Sequence, residues 1–114
     1  GRDVYLSPSD VGQGMAWDLS LTLFEDRAGN DTYKTCAHCL GMASQNSFAF
    51  FIDGQGQDNY SGADLPFGGK RSNDYHGGKS FGLFWDQHHE IDQYSKFKNN
   101  SQQTLGDWQI LKDE

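Results

Sequence analysis

Residues 48–60 read FAFFIDGQGQDNY, an apolar run that ends in an aspartate and is followed by a glycine-rich turn with a second aspartate and a tyrosine. Similar runs end in three further aspartates, and the complete set is Asp26, Asp53, Asp86 and Asp113. Their separations are 27, 33 and 27 residues. A period of this length indicates an internal repeat whose units each form one supersecondary element.

The turn that follows the apolar run is repeated as well. The motif Asp-x-Tyr occurs at residues 3–5, 31–33, 58–60 and 92–94. The units are approximately 1–26, 27–53, 54–86 and 87–113, and together they predict a single repeat domain, 1–114. Because both ends of the chain fall inside units, we expect it to be a fragment or subunit of a longer protein.

The apolar runs predict the fold class. In each run the first, third and fourth positions are apolar. Apolar side chains two positions apart predict a strand with one buried face, and stacked copies of such a strand bury a continuous core. The sequence therefore predicts an all-β fold, a parallel β-solenoid of the β-helix or β-roll kind, with about four coils of about 27 residues. A small sandwich or meander of hairpins is the alternative.

The third unit is longer than the others, and its additional residues predict one loop insertion around 62–78. The segment 68–72, Gly-Gly-Lys-Arg-Ser, is typical of a surface loop. Loops that leave a regular scaffold commonly carry binding function. The candidate ligand-binding residues of this loop are Lys70, Arg71, Asp74 and Tyr75.

The charge balance restricts the partners. Sixteen acidic and nine basic side chains give a formal net charge of −7. Phosphate binding needs a basic surface, so this balance argues against a nucleic-acid partner and favours cations. No apolar run approaches the roughly 20 residues of a transmembrane helix. The first ten residues, GRDVYLSPSD, lack the apolar segment of a signal peptide.

Stacked units bring equivalent aspartates within one strand spacing, where like charges repel. Three arrangements relieve the repulsion: the carboxylates cap turns by accepting backbone N–H bonds, they fan out into water, or they share cations. Calcium suits the third arrangement, because it binds carboxylates and the carbonyls of glycine-rich turns. The candidate calcium ligands are Asp26, Asp31, Asp53, Asp58, Asp86 and Asp92.

Residues 26–34 and 53–61 resemble the calcium-binding nonapeptide of repeats-in-toxin (RTX) proteins, Gly-Gly-x-Gly-x-Asp-x-apolar-x. Asp31 and Asp58 match the ligand aspartate of that motif. The resemblance implies calcium held between coils of a parallel β-roll. The nonapeptide departs from the family pattern, since an aspartate replaces its first glycine and it occurs once per unit.

The whole unit is also similar to the Gly-Asp-Asp-x-Tyr solenoid repeats of uncharacterised secreted bacterial proteins. This resemblance covers most of the chain. It implies an extracellular or cell-surface location in bacteria and implies little about activity.

The two cysteines stand in Cys36-Ala37-His38-Cys39. This spacing leaves open a disulfide, a redox pair, a zinc site with ligands from elsewhere, or two small side chains in a turn. The candidate ligands for a transition metal are Cys36, His38, Cys39 and His88.

No catalytic motif is present, so the leading hypothesis is a non-catalytic extracellular or cell-surface repeat module with a structural, adhesive or ligand-binding role, stabilised by calcium if the aspartates bind it. The alternative is a fragment of a polysaccharide-acting β-helix enzyme, which would need two carboxylates that converge across a cleft. The expected partners are a second copy through the solenoid ends, other segments of the parent assembly, or a carbohydrate or surface ligand.

Overall fold

The computed structural model describes residues 1–7, 10–62, 69–70, 79–87, 92–94, 103–104 and 109–113. Strands occupy Val4–Leu6 (β1), Ala16–Trp17 (β2), Leu21–Asp26 (β3), Thr32–Thr35 (β4), Met42–Ser44 (β5), Phe48–Asp53 (β6), Asn59–Gly62 (β7), Gly69–Lys70 (β8), Phe81–Asp86 (β9), Gln93–Tyr94 (β10), Gln103–Thr104 (β11) and Gln109–Asp113 (β12). No helix occurs among these residues, so none of them forms a segment that could span a membrane as a helix.

The strands form three sheets, and the chain visits the sheets in turn. Their orders are β1-β4-β7-β10, β2-β5-β8 and β11-β12-β9-β6-β3. All of the pairs are parallel except β11 with β12. In the largest sheet Asp26 pairs with Asp53, Asp53 with Asp86 and Asp86 with Asp113, which is the alignment that the sequence period predicts.

The predicted parallel β-solenoid of about four coils is contradicted by this arrangement. The described residues form a small, compact body of three short parallel sheets, and an antiparallel strand closes the largest of them. The prediction assumed one strand per unit, because only the strands of five or six residues are long enough to show an apolar period. Strands of two to four residues carry no such signal.

The predicted insertion around 62–78 lies mostly outside the described residues. Within this range, Gly62 ends β7, and Gly69–Lys70 form β8, which pairs in parallel with β5. This part of the insertion is therefore a strand of the sheet β2-β5-β8 rather than an excursion from the scaffold.

Sharp corners connect the short strands. Gly14 and Gly41, one unit apart, have φ values of 79° and 77°, and each follows a residue that is also left-handed. A second pair of left-handed residues occurs at 18–19 and again at 45–46. The repetition of these corners keeps the strands of successive units in register.

The core consists of two aromatic columns and the residues between them. The columns are Tyr5, Tyr33 and Tyr60, with ring centroids 4.9 and 4.8 Å apart, and Phe24, Phe51 and Phe84, with centroids 4.8 and 5.2 Å apart. They meet edge to face, as between Tyr33 and Phe51 at 5.4 Å. Parallel in-register pairing places identical side chains one strand spacing apart, which explains the stacking.

The long strands face the core with their second, fourth and sixth side chains, as the burial of β6 and β9 shows. Leu21, Leu23 and Phe48, from the first and third positions, point outward and are 72, 60 and 50% exposed. The expectation that these positions are buried is wrong. Both faces of the strand carry apolar residues, so alternation alone does not identify the inner face.

Candidate functional site

Two files of aspartates run across the sheets beside the tyrosine column. The turn file lies just before the strands of the first sheet and consists of Asp3, Asp31, Asp58 and Asp92. The strand-end file consists of Asp26, Asp53 and Asp86, the last residues of β3, β6 and β9. Parallel register produces both files, because one aspartate per unit repeats at each position.

Backbone hydrogen bonds connect the turn file. The Asp3 N–H donates to Oδ1 of Asp31 at 2.6 Å, the Asp31 N–H to Oδ1 of Asp58 at 2.7 Å, and the Asp58 N–H to Oδ1 of Asp92 at 2.6 Å. Each carboxylate thus caps the turn of the preceding unit. Hydrogen bonds to charged acceptors are stronger than neutral ones, so the ladder fixes the register of the turns.

Tyrosine hydroxyls contact the strand-end file. The Tyr5 hydroxyl donates to Oδ2 of Asp26 at 2.5 Å, and the Tyr60 hydroxyl donates to Oδ2 of Asp53 at 2.6 Å. The Tyr33 hydroxyl is buried beside Asp53, and burial first, and then the charge of Asp53, raise the pKa of Tyr33. Tyrosines and aspartates therefore share one polar layer at the edge of the aromatic core.

The two files alternate to form three overlapping carboxylate clusters: Asp3–Asp26–Asp31, Asp31–Asp53–Asp58 and Asp58–Asp86–Asp92. Within each cluster one oxygen per residue lies within 4.8 Å of the others. In the central cluster all three side chains are buried, and Oδ2 of Asp31 and Oδ1 of Asp53 have no hydrogen-bond partner. Among the described residues, no lysine or arginine forms an ion pair with the central cluster.

The electrostatics of the central cluster oppose its ionisation. Burial first, and then the charges of the neighbouring carboxylates, raise the pKa of Asp58 to about 7, and the backbone hydrogen bond from Asp31 opposes this rise. Burial also raises the pKa of Asp53, and the hydrogen bond from Tyr60 opposes this rise. A protein with this cluster needs protons or a cation to neutralise it.

Solvent reaches the turn file from one side. Asp31 and Asp58 line a polar depression together with Asn30, Gln57 and Arg2. A small cation can therefore approach the cluster from water, and side-chain amides are available near the entrance.

The predicted calcium ligands all lie in these clusters: Asp26, Asp31, Asp53, Asp58, Asp86 and Asp92. Asp3 joins them, although it was absent from the predicted ligand set. The tyrosine hydroxyls are the functional groups that sequence reasoning missed. The repeated Asp-x-Tyr spacing was the available signal, but the partner of each tyrosine is a strand-end aspartate rather than the aspartate of its own motif.

The other predicted sites lie only partly within the described residues. Cys36 and Cys39 form a disulfide, so neither sulfur is a thiolate metal ligand in this form. Nδ1 of His38 contacts the backbone oxygen of Asp10 at 2.9 Å. His88 and, from the predicted binding loop, Arg71, Asp74 and Tyr75 lie outside the described residues, whereas the backbone of Lys70 belongs to β8.

Comparisons of the chain with protein-family models, with curated proteins and with solved structures found no match.

Proposed function

We propose that this chain is a non-catalytic structural module of an extracellular or cell-surface protein, and that calcium bound between its aspartate files holds successive repeat units together. The observation that carries the proposal is the central cluster of Asp31, Asp53 and Asp58. Its three carboxylates are buried within 4.8 Å of one another and no described cationic side chain pairs with them.

Calcium fits the chemistry of this cluster. It is a hard cation that binds carboxylates, carbonyls and water with flexible geometry. A carboxylate oxygen that already accepts an N–H retains a second lone pair, so capping of the turns and metal binding are compatible. The unpartnered oxygens of Asp31 and Asp53 supply further ligand sites.

The disulfide between Cys36 and Cys39 supports the proposed location. Disulfides persist in oxidising environments such as the bacterial periplasm and the cell exterior, and are rare in the cytosol. The buried position of Cys39 in the aromatic core makes the bond part of the folded structure rather than a surface redox pair.

A structural role also suits the placement of the carboxylates. Glycoside cleavage needs two carboxylates facing each other across a substrate cleft. The acidic side chains described here instead converge between repeat units, where Asp31 and Asp58 are held by backbone N–H groups. The partners that we propose are a second copy of the chain or a carbohydrate or surface ligand, and the net charge of −7 disfavours nucleic acid.

The decisive measurement is thermal unfolding with millimolar calcium and with excess EGTA, supported by calorimetric titration of calcium. We expect calcium to raise the melting temperature by many degrees, because a ligand that binds only the folded state stabilises it by mass action. Superimposable curves would reject the metal and leave the carboxylates as caps alone.

Two variants separate metal binding from capping. Asp58→Asn keeps an oxygen that accepts the Asp31 N–H but removes a charged ligand, so it should lose most of the calcium-dependent stabilisation while folding in EGTA. Asp10→Asn, an exposed aspartate outside the files, should respond to calcium as the wild type does. An Asp58→Asn protein with an unchanged calcium response would contradict the proposed site.

A further inference from the structure

The polar depression that Asp31 and Asp58 line has a volume of about 330 Å³. All of the described residues that line it are polar or charged. Pockets for apolar ligands reach similar volumes, but they are lined mainly by apolar and aromatic side chains. The depression therefore suits a ligand whose surface consists mainly of groups that donate and accept hydrogen bonds.

Two rows of side chains line the depression, one from the positions that precede the turn-file aspartates and one from the positions that follow them. The preceding row contains Asn30 and Gln57, and the following row contains Thr32, Asn59 and Gln93. Thr32 and Gln93 each pair in register with Asn59. Neighbours in the following row are thus about one strand spacing, 4.8 Å, apart. In the preceding row, Oδ1 of Asn30 accepts the Gln57 N–H at 3.2 Å.

The two rows carry groups that recognise hydroxyls. An amide side chain offers both donors and an acceptor, and a sugar hydroxyl also donates and accepts. The amide side chains of Asn30, Gln57, Asn59 and Gln93 are exposed, so a ligand in the depression can reach them. A peptide ligand would also present apolar side chains, for which the described lining offers no apolar partner. The chemistry of the rows therefore favours a saccharide.

The central cluster adds a cation to this surface. Asp31 and Asp58 belong to the cluster and also line the depression. The Asp31 side chain is only 2% exposed, yet its Oδ2 has no hydrogen-bond partner. Calcium takes about six to eight oxygen ligands, and two of the three carboxylates already accept backbone N–H bonds. An ion in this cluster keeps coordination positions for outside oxygens, and neighbouring sugar hydroxyls supply two.

From these observations we infer that the depression binds a neutral, extended, β-linked saccharide, with calcium in the central cluster as the base of the site. The inference rests on the proposed function, because it uses the same ion. The rings of an extended β-linked chain follow one another at a distance close to the strand spacing, so a chain that runs across the strands meets equivalent side chains in successive units. The net charge of −7 favours a neutral saccharide over an acidic one.

The test titrates hexasaccharides into the isotopically labelled chain and follows its nuclear magnetic resonance spectrum, in millimolar calcium and in excess EGTA. Mannohexaose and cellohexaose are extended and β-linked, whereas maltohexaose is α-linked and coiled. In calcium, at least one β-linked probe should shift the side-chain amide signals of Asn30, Gln57, Asn59 and Gln93. EGTA should weaken this binding about tenfold or more, because contacts to a charged group are stronger than neutral hydrogen bonds.

The failure of this inference can be distinguished from the failure of the proposed function. If calcium raises the melting temperature but neither β-linked probe shifts the amide signals, the saccharide site is overturned and the structural role of calcium stands. If calcium leaves the melting temperature unchanged, both fail. Equal saccharide binding in calcium and in EGTA would overturn the part assigned to the ion, and equal binding of maltohexaose would overturn the alignment with the strands.

Substitutions in the following row test the contacts without changing a calcium ligand. Asn59→Ala should weaken saccharide binding about fivefold, which corresponds to the loss of about one neutral hydrogen bond, and should leave the calcium response unchanged. Gln55→Ala removes an exposed amide from the same turn but outside the depression, and should bind the saccharide as the wild type does. Asp58→Asn should lose both responses. Equal affinities of Asn59→Ala and Gln55→Ala would overturn the assigned contacts.

Discussion

Two glycines one repeat apart, Gly14 and Gly41, share a left-handed backbone but not the same surroundings. A Cβ at Gly14 would lie 3.2 Å or more from its neighbours, whereas a Cβ at Gly41 would lie 2.0 Å from the backbone oxygen of Leu83. We expect Gly14→Ala to lower the free energy of unfolding by about 1 kcal/mol, because a residue with a Cβ is strained at this positive φ. Gly41→Ala should lower the free energy of unfolding by about 3 kcal/mol or more, because the strand β9 must also shift to make room for the Cβ.

Urea unfolding of the two alanine variants, followed by circular dichroism, measures this difference. The pair is matched in sequence position and φ, so the excess cost at Gly41 reports the contact with Leu83 alone. Equal destabilisation would mean that the two corners are not packed as described.

The phenylalanine column ties together the three strands β3, β6 and β9. Phe51 is fully buried and stacks on Phe24 at 4.8 Å and on Phe84 at 5.2 Å. Replacement of a buried phenylalanine by alanine leaves a cavity and typically costs about 3–5 kcal/mol. Phe51→Ala should therefore unfold the protein at much lower urea, whereas Phe48→Ala, on the exposed face of the same strand, should cost less than about 1 kcal/mol.

The long strands and their register were predictable from the sequence, because β3, β6 and β9 carry an apolar run that ends in an aspartate at a fixed period. The short strands were not, since two to four residues cannot show a periodic pattern. The inner face was also mistaken. Phe48 and Phe51 are both apolar, but in the folded chain Phe51 faces inward with Asp53, whereas Phe48 lies on the exposed face.

The aspartates of the candidate site were predictable from the sequence, but not all of the hydrogen bonds that connect the site were. Repetition alone singled out the aspartates that form the three clusters. The hydrogen bond from Tyr60 to Asp53 joins two sheets, and the ladder from Asp31 to Asp58 joins two units. Capping of turns by these aspartates was one of the three arrangements that the repeat allowed, whereas the contact between Tyr60 and Asp53 does not follow from sequence spacing, because it depends on how the corners fold the chain back.

Considered as a whole, the molecule concentrates negative charge in its interior, and its stability should therefore depend on pH and calcium together. The folded-state pKa values of Asp53 and Asp58 are raised by burial, that of Asp58 to about 7. For a carboxyl with a raised pKa, the stabilising contribution is complete below its unfolded pKa and is lost as pH rises through the folded pKa. In EGTA the melting temperature should therefore decrease as the pH is raised from 5 to 8.

Calcium should cancel that fall, because it neutralises the same carboxylates in the range where they have lost their protons. The difference in melting temperature between calcium and EGTA should accordingly be small at pH 5 and large at pH 8. Asp58→Asn removes the group whose pKa lies near 7, so in EGTA its melting temperature should vary less with pH than that of the wild type.

A wild-type melting temperature that rises from pH 5 to pH 8 in EGTA would show that the central carboxylates are already ionised and neutralised within the fold. Buried carboxylates in this arrangement would then need a cationic partner from the protein itself, and neither calcium nor protons would couple the repeat units.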